Sequence, residues 1–349
     1  MVARIIGLDI GHDAIRAIEL EGPEKARPVV SRAATIAVPE GAVRSGEVRE
    51  LKTVASAVRK LLTSGGFRSK DIVLGMGNQR VIARDLTVPK MGIEQIREAL
   101  PFQVQDMLPV PVADAILDFY PISEEVTDAG TVLNGLLVAA IKESVLANVG
   151  AVTLAGSRPV QVDLVPFALS RVLARGTWGK GTVAIIDIGA STTNVVVTSN
   201  GVPQFVRMIA GGGGEITSAL SRRLEIDVDR AEAAKRARGL SSAPVTSQIE
   251  QLAAEVIFEK TGELISSLRN TISYYVNNRH EDPIQAVILT GGGSLLPGLA
   301  RVLSETLRLQ VVQADPFSTV DVSKSAAKSM GDTNHTMTVA LGLALGSVA

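Results

Sequence analysis

A chain of 349 residues is long enough to bury a large core and to divide into about two domains. A formal net charge of -1 and an aromatic content of 3% exclude a basic nucleic-acid or lipid footprint and a run of stacking platforms for single strands. Cysteine is absent, which excludes disulfides, a thiol nucleophile and a Cys-ligated metal and suits a reducing cytoplasm.

Taken from the start, MVARIIGLDIGHD is not expected to be a secretory leader, because Asp9 interrupts its apolar run. No window holds the roughly 18 uncharged apolar residues of a spanning helix. Residues 4–38 read as a meander: a strand to Asp9, a turn through Gly11, and a second strand from near Ile15. Leu51, Val54, Ala55, Val58, Leu61 and Leu62 share one helical face, and Gly65-Gly66 stops that helix. Residues 71–76 and 81–88 read as strands. Ile96, Leu100, Val104 and Leu108 then keep helical spacing among crowded prolines, with a break expected at Pro101. A strand at 115–121, a polar loop at 123–130, a strand at 132–141 and a helix at 143–155 follow. Together these segments predict a small α+β unit inserted over about 86–160. A strand at 160–164, a helix opened by Pro166 and a linker at 176–181 close the first half.

The second half opens on residues 183–198, VAIIDIGASTTNVVVT. An apolar run reads as a buried strand, and a turn loaded with polar groups leads into a second β-branched run. Gly189, followed by Ala190, lets backbone approach a ligand. Ser191, Thr192 and Thr193 offer amide and hydroxyl donors to an anion. Asp187 stands at the strand end, where a carboxylate can hold Mg2+ through water. Asp9-Ile10-Gly11 repeats Asp187-Ile188-Gly189, so two related halves are expected to face one cleft. Gly211 to Gly214 lead into a helix through Leu224. A short helix over 229–238 is capped by Asp227 or Asp229. The long periodic segment 245–277 turns Ile249, Leu252, Val256, Leu264, Leu268, Ile272 and Tyr275 inward. A buried strand ends in Thr290-Gly291-Gly292-Gly293-Ser294, the kind of glycine turn at which an open α/β sheet receives its ligand. A helix at 297–307, a strand at 309–312, an irregular polar stretch at 318–334 and a buried helix at 336–345 complete the chain. His12, His280 and His335 do not cluster, which argues against a histidine metal site. P-loop, dinucleotide and nucleophile-elbow motifs are absent from the sequence.

The order D-x-G, D-x-G, G-G-G-S resembles the actin, sugar-kinase and heat-shock-chaperone ATPase superfamily. The resemblance implies an α/β, actin-like (ribonuclease H-like) duplicated fold with two lobes around a nucleotide cleft. It assigns ATP or ADP to Gly11, His12, Asp13, Arg16 and Gly189 to Thr193 on the phosphate side. Gly212, Gly213 and Glu215 are further cofactor-binding candidates, and Gly291, Gly292, Gly293 and Ser294 would form the adenosine loop, with Mg2+ held through water by Asp9 and Asp187. Ala231-Glu232-Ala233-Ala234-Lys235-Arg236 is similar to the A-E-x-x-K helix of that superfamily, in which Glu232 and Lys235 share a face toward the adenosine. His12 departs from the Ser, Thr or Asn usual at its position. Arg16 reads equally as a phosphate contact and as an exposed strand residue.

Within the superfamily the chain resembles, over nearly its full length, the PilM family of actin-like, FtsA-related type IV pilus assembly proteins. The carrying residues are Gly7 to Gly11, Ala17 to Leu20, Leu108-Pro109-Val110-Pro111, Val162 to Arg171, the two D-x-G corners, Gly211 to Thr217, the glycine triplet and Ala340 to Leu345. The resemblance implies a cytoplasmic adaptor, peripheral to the inner membrane, that grips the N-terminal cytoplasmic peptide of a PilN-like membrane protein, with the assembly motor complex as a further partner. It implies subdomain 1A over 1–85 and 161–180, the inserted 1C over 86–160, 2A over 181–215 and 281–330, 2B over 216–280, and a C-terminal helix over 331–349 packed on 1A. Ile96, Leu100 and Val104 are candidates for the peptide groove and equally for core. Hydrolysing relatives carry Glu where this chain has Val165, so slow turnover is expected, with Asp163 as a partial substitute on the same strand face. An FtsA-like filament protein and a sugar-kinase-like phosphotransferase are the alternatives. The former would need an amphipathic tail beyond the last helix.

Overall fold

The computed structural model describes residues 3–128, 130–278 and 283–346. His280 and the extreme C-terminal residues, on which the tail argument rests, lie outside these. The chain opens with β1 (Arg4–Ile10), β2 (Ala14–Glu21) and β3 (Val29–Ala37), an antiparallel meander. Two short strands, β4 (Val43–Arg44) and β5 (Glu47–Val48), lead to α1 (Leu51–Ser64), which buries Val54, Ala55, Ala57, Val58 and Leu61 against the sheet. β6 (Asp71–Met76) then pairs parallel with β1.

An excursion follows. β7 (Val81–Pro89), α2 (Ile93–Gln103), β8 (Ala115–Thr127) and β9 (Gly130–Ile141) form a separate three-stranded sheet, ordered β7-β9-β8, with one helix on it. Because β7 bonds to β9, this unit starts at Val81 rather than at 86. It ends at Ile141, because α3 (Lys142–Leu154) packs on α1 and belongs to the first lobe. α2 runs through Pro101 instead of breaking there. Ile96, Leu100 and Val104 are all fully buried beneath it and hold the turn in place, while Pro101 only removes the donor for the Arg97 carbonyl. The polar loop expected at 123–130 is instead an extension of the β8–β9 ladder. Polar cross-strand bonds replace apolar ones there: Thr87 to Asn134 at 2.6 Å, Asn134 to Glu125 at 2.9 Å and Lys90 to Glu124 at 2.6 Å.

β10 (Arg158–Leu164) returns to the first sheet and α4 (Val165–Leu173) follows. The second lobe repeats the plan: β11 (Thr182–Ile188), β12 (Thr192–Ser199) and β13 (Val202–Ala210) form a meander, then α5 (Gly213–Leu224), α6 (Val228–Arg238) and α7 (Gln248–Asn278) precede β14 (Ile284–Thr290), α8 (Leu299–Leu307) and β15 (Gln310–Gln313). Asp227 caps α6, accepting from the Arg230 amide at 2.8 Å. Ile249, expected in the core face of α7, is 70% exposed, since packing begins only at Ala253. The two large sheets read β3-β2-β1-β6-β10 and β13-β12-β11-β14-β15, the same order with the same strand directions.

Residues 318–334 are not irregular. β16 (Asp321–Val322) adds to the edge of β3, and Ser323 caps α9 (Lys324–Met330). Arg27 ties this strap down through Asp321 and two backbone carbonyls. The chain then enters the first lobe as α10 (Thr338–Leu345), buried along its whole length against β1, β2, β6 and α4. No described helix is long and apolar enough to cross a membrane.

α10 lies so close to its neighbours that only hydrogen atoms fit at two contacts. A Cβ on Gly7 would stand 1.9 Å from the Ala340 carbonyl oxygen, and one on Gly342 would stand 2.0 Å from that of Ala168. Gly342→Ala is therefore expected to destabilise the protein by ~3 kcal/mol. Gly262→Ala, with open space at an exposed point of α7, is expected to stabilise it by up to ~1 kcal/mol. Urea unfolding of the two variants checks both.

Candidate functional site

The two D-x-G corners are built alike. Gly11 N donates to Ala14 O and Gly189 N to Thr192 O, each at 3.0 Å, closing two-residue turns at His12-Asp13 and Ala190-Ser191. The glycine amides are thus spent inside the hairpins. The turn amides between them are not used by the ladder and are the groups left for an anion. In each ladder the aspartate faces the residue seven positions on: Asp9 pairs with Arg16, and Asp187 with Asn194.

Asp9 and Asp187 come from different lobes and meet in one electrostatic cluster. Burial pushes the Asp187 carboxyl up to about 6, and the Asp9 charge adds to the rise, while Asn194 and Arg16 oppose it. Burial also raises Asp9, against the pull of Arg16, whose Nη1 lies 3.8 Å from its carboxylate. Arg16 is therefore neither a free surface residue nor a full partner. Two carboxylates share one guanidinium, and Arg16 Nε, Thr192 Oγ1 and Asn194 Oδ1 are buried without hydrogen-bond partners. Asn194 was not singled out from the sequence. Its spacing from Asp187, equal to that of Arg16 from Asp9, was the available signal.

The glycine triplet stands against this cluster. Gly291, at φ +82, runs so close that a Cβ would lie 2.5 Å from Asp187 Oδ1 and from Ile188 O. Gly212 sits over the second corner, where a Cβ would meet Gly189 O at 2.3 Å, and Gly213 faces Gly293. Gly213 and Gly214 amides donate to the Gly189 and Ala190 carbonyls at 2.9 and 2.8 Å, so the start of α5 is clamped on the corner. Glu215 lies beside Gly211. Ser294, expected at the ligand, is buried and donates to Gly291 O at 2.7 Å, which makes it a brace of the turn. Thr193 likewise turns inward, to Gly211 O at 2.9 Å.

Glu232 and Lys235 form the third wall. Lys235 Nζ is buried, reaching Gly213 O at 3.0 Å and Thr217 Oγ1 at 2.8 Å as well as Glu232. Glu232 is half-buried. Burial alone would raise its carboxyl, but hydrogen bonds from Lys235, Thr217 and Arg236 together hold it down at about 2. Its acceptor oxygens stay ionised at any working pH.

Two expectations are corrected. Asp163 does not share a strand face with Val165, because Val165 is the first residue of α4. Asp163 Oδ1 accepts from the Leu164 amide and Oδ2 from Arg171, which also holds the Gly342 carbonyl. It braces α4 and α10 and is spent there. Val165 instead faces Gly75 and Gly77, next to Asn194. Ile96, Leu100 and Val104, left open between groove and core, are core: they pack with Val88, Phe119 and Leu137 inside the inserted unit. Among the described residues no group of three or more His, Cys, Asp or Glu side chains could hold a metal. Any cation at Asp9 and Asp187 needs further ligands from water or a bound anion.

A family model described as type IV pilus assembly protein PilM matches residues 7–348. The solved structure of a PilM-PilN type IV pilus biogenesis complex superposes with a TM-score of 0.85, at 28% identity and 100% coverage of both chains. Cell division protein FtsA of Bacillus subtilis is 23% identical over 320 residues, 80% of this chain and 72% of its own. MreB5 of Spiroplasma citri bound to AMPPNP shares the fold at 12% identity, with a TM-score of 0.51 over 98% of this chain and 95% of that one.

Ionised Asp187 burdens the ligand-free protein. Its carboxyl titrates near 6 in the fold against 3.8 ordinarily, so the folded state holds the extra proton between those values. Stability therefore falls as pH rises from about 4 to about 6. Asp187→Asn is expected to stabilise the ligand-free protein by ~2–3 kcal/mol at pH 8 and hardly at all at pH 4. Thermal melts at the two pH values check the sign.

Proposed function

The chain belongs to the type IV pilus assembly protein PilM family, and from that membership we propose that it is a nucleotide-loaded adaptor which binds ATP with magnesium and grips a short peptide of a PilN-like membrane protein. The observation that carries the nucleotide half is the meeting of Asp9 and Asp187 under a glycine cradle. Two like charges with one shared arginine favour a divalent cation between them, and the buried orphan atoms of Arg16, Thr192 and Asn194 favour polar ligand or water nearby. The turn amides at His12-Asp13 and Ala190-Ser191 suit phosphate oxygens from both lobes. Glu232 presents ionised acceptors suited to ribose hydroxyls. The bound magnesium would supply charge neutralisation to the phosphates.

Turnover is proposed to be slow. The position facing Gly77 and Asn194 is held by Val165, which offers no base, and Asp163 is committed to Arg171. In-line attack needs a water oriented by an acceptor, and Asn194 Oδ1 is the remaining candidate.

For the peptide half, β10 is the outer strand of the first sheet, and Val160 and Val162 stand 48% and 37% exposed on it. Tyr120 of the inserted unit packs on Phe167 of α4 with ring centroids 4.6 Å apart and planes tilted by 38°, marking the junction of the two units. An edge strand with apolar side chains favours an extended peptide. The match to a PilM-PilN complex supports a PilN-type partner. Membrane contact would then be indirect.

Calorimetry is expected to find Mg-ATP binding to the wild type and a loss of about 100-fold in an Asp9→Asn, Asp187→Asn double variant. Phosphate release is expected below ~0.1 s⁻¹, and a rate on the order of 1 s⁻¹ would overturn the adaptor reading. Val162→Asp is expected to weaken binding of a PilN N-terminal peptide about tenfold with ATP affinity unchanged. Failure of the wild type to bind the peptide would remove that half of the proposal.

A further inference from the structure

The first sheet has two ends. At one, β1 runs into the glycine corner beyond Asp9. The other gathers the starts of β1, β3, β6 and β10 and the end of β2. Hydrogen bonds knit its loops into one surface. Gly22 N donates to Ala3 O at 2.9 Å, Ser69 Oγ to Arg4 O at 3.1 Å and Arg158 N to Lys70 O at 2.7 Å. α4 and α10 end on the same surface, where Arg175 and Leu345 line a recess together with Lys25 and Pro28.

The charge of this end is one-sided. The loops 22–28, 65–70 and 174–181 carry Lys25, Arg27, Arg68, Lys70, Arg175 and Lys180 against Glu24 as their only acidic residue. All six cations are exposed. Arg27 is spent on Asp321, and at the strand ends Arg4 pairs with Glu21 and Arg158 with Asp71. Among the described residues the other five cations form no ion pair. The formal net charge of -1, from which no lipid footprint was expected, averages over this segregation.

Two further features say what the face meets. Loop 174–181 holds Trp178, the single tryptophan of the chain, packed on the first core on one side and partly open to solvent between Arg175 and Lys180. An amphipathic ring flanked by cations suits the boundary between lipid headgroups and acyl chains. The recess at Arg175 has a volume of about 200 Å³ and is lined by Lys25, Arg175 and Glu24 with Pro28, Val320 and Leu345. Arg171, also in its lining, is already held by Asp163 and the Gly342 carbonyl, so Lys25 and Arg175 supply the free charge. That is room for a phosphodiester headgroup and too little for a drug-sized ligand. The cations stand on separate loops, at spacings set by the sheet. Laterally mobile lipid phosphates adjust to such spacings, whereas fixed carboxylates on a folded partner must match them.

We propose that this end of the first lobe rests directly on a bilayer surface of anionic phospholipid, with Trp178 at headgroup level and a lipid phosphate held by Lys25 and Arg175. The contact adds to the indirect one through a membrane partner. Because β10 starts at this end, a peptide laid on its edge would bring the face to the bilayer, and that clause alone rests on the peptide reading. Each Lys or Arg near such a surface contributes about fivefold in binding, so the face is weak alone and effective beside a tether.

Sedimentation of the full-length protein with vesicles, in the absence of any peptide, tests this. Binding is expected to phosphatidylcholine vesicles containing phosphatidylglycerol and not to phosphatidylcholine alone, to weaken with added salt, and to shift Trp178 emission to the blue. The triple variant Lys25→Glu, Lys70→Glu, Arg175→Glu is expected to bind at least ~30-fold more weakly. Arg222→Glu, Arg223→Glu, Arg269→Glu, with the same net charge but altered on the second lobe, is expected to bind as the wild type does. Circular dichroism melts check that both variants fold, and Arg175→Glu alone, expected to bind about tenfold more weakly, serves if the triple variant does not. No binding to anionic vesicles, equal loss in the two triple variants, or an unchanged Trp178 emission on bound vesicles would overturn the proposal. So would full competition by glycerol 3-phosphate in solution, since the recess would then be a site for a free phosphate. A protein that binds vesicles but no PilN peptide would leave this proposal standing and remove only the peptide reading.

Discussion

Asp9 and Asp187 are held toward each other by two separately folded sheets, and most of the molecule serves that juxtaposition. Neither carboxylate is comfortable. Both are desolvated, the Asp9 charge raises Asp187 further, and one guanidinium serves them together. A side chain free to move would turn toward water. These cannot, because each sits at the next-to-last position of a buried strand whose register is set along its length by apolar partners. This desolvated pair of carboxylates is the feature on which the proposed cation site rests.

The glycines follow from the same constraint. Gly212, Gly291 and Gly293 are small because backbone from three loops must pass the Asp187 corner within van der Waals distance. The segment at His335 continues this packing into the first lobe: its carbonyl accepts from Gly291 N at 3.3 Å and from Thr290 Oγ1 at 3.1 Å, and Thr290 meets Thr338 at 2.7 Å. Thr338 is the first residue of α10, whose eight residues are all buried. The glycine triplet of one lobe is therefore fastened to the core of the other, and any change of angle between the lobes has to work through that link.

Around this centre the chain invests in preorganised polar groups rather than in loose ones. Lys235 reads from the sequence as a residue facing the adenosine. In the fold it is a buried strut between α5 and α6 that also keeps Glu232 ionised. Asp163 reads as a candidate for chemistry and is a brace between α4 and α10. Both cases have one cause. A charged side chain near a cleft meets the nearest backbone carbonyl or opposite charge first, and burial makes that partnership exclusive.

The element order, the two D-x-G hairpins, the glycine triplet and the duplicated plan were legible in the sequence because they are written in local terms: strand-length apolar runs, turn residues and a repeated spacing. Short-range signals failed where distant groups decided. Pro101 continues a helix because Ile96, Leu100 and Val104 are buried beneath it. Residues 123–127 extend a strand because Lys90, Thr87 and Asn134 wait across the ladder. The strap at residues 321–330 exists because Arg27 and the β3 edge receive it. That Arg16 and Asn194 end beside the same two aspartates follows from how separate sheets are set in space. Sequence periodicity carries information along one strand or helix face, and it carries none about which faces meet.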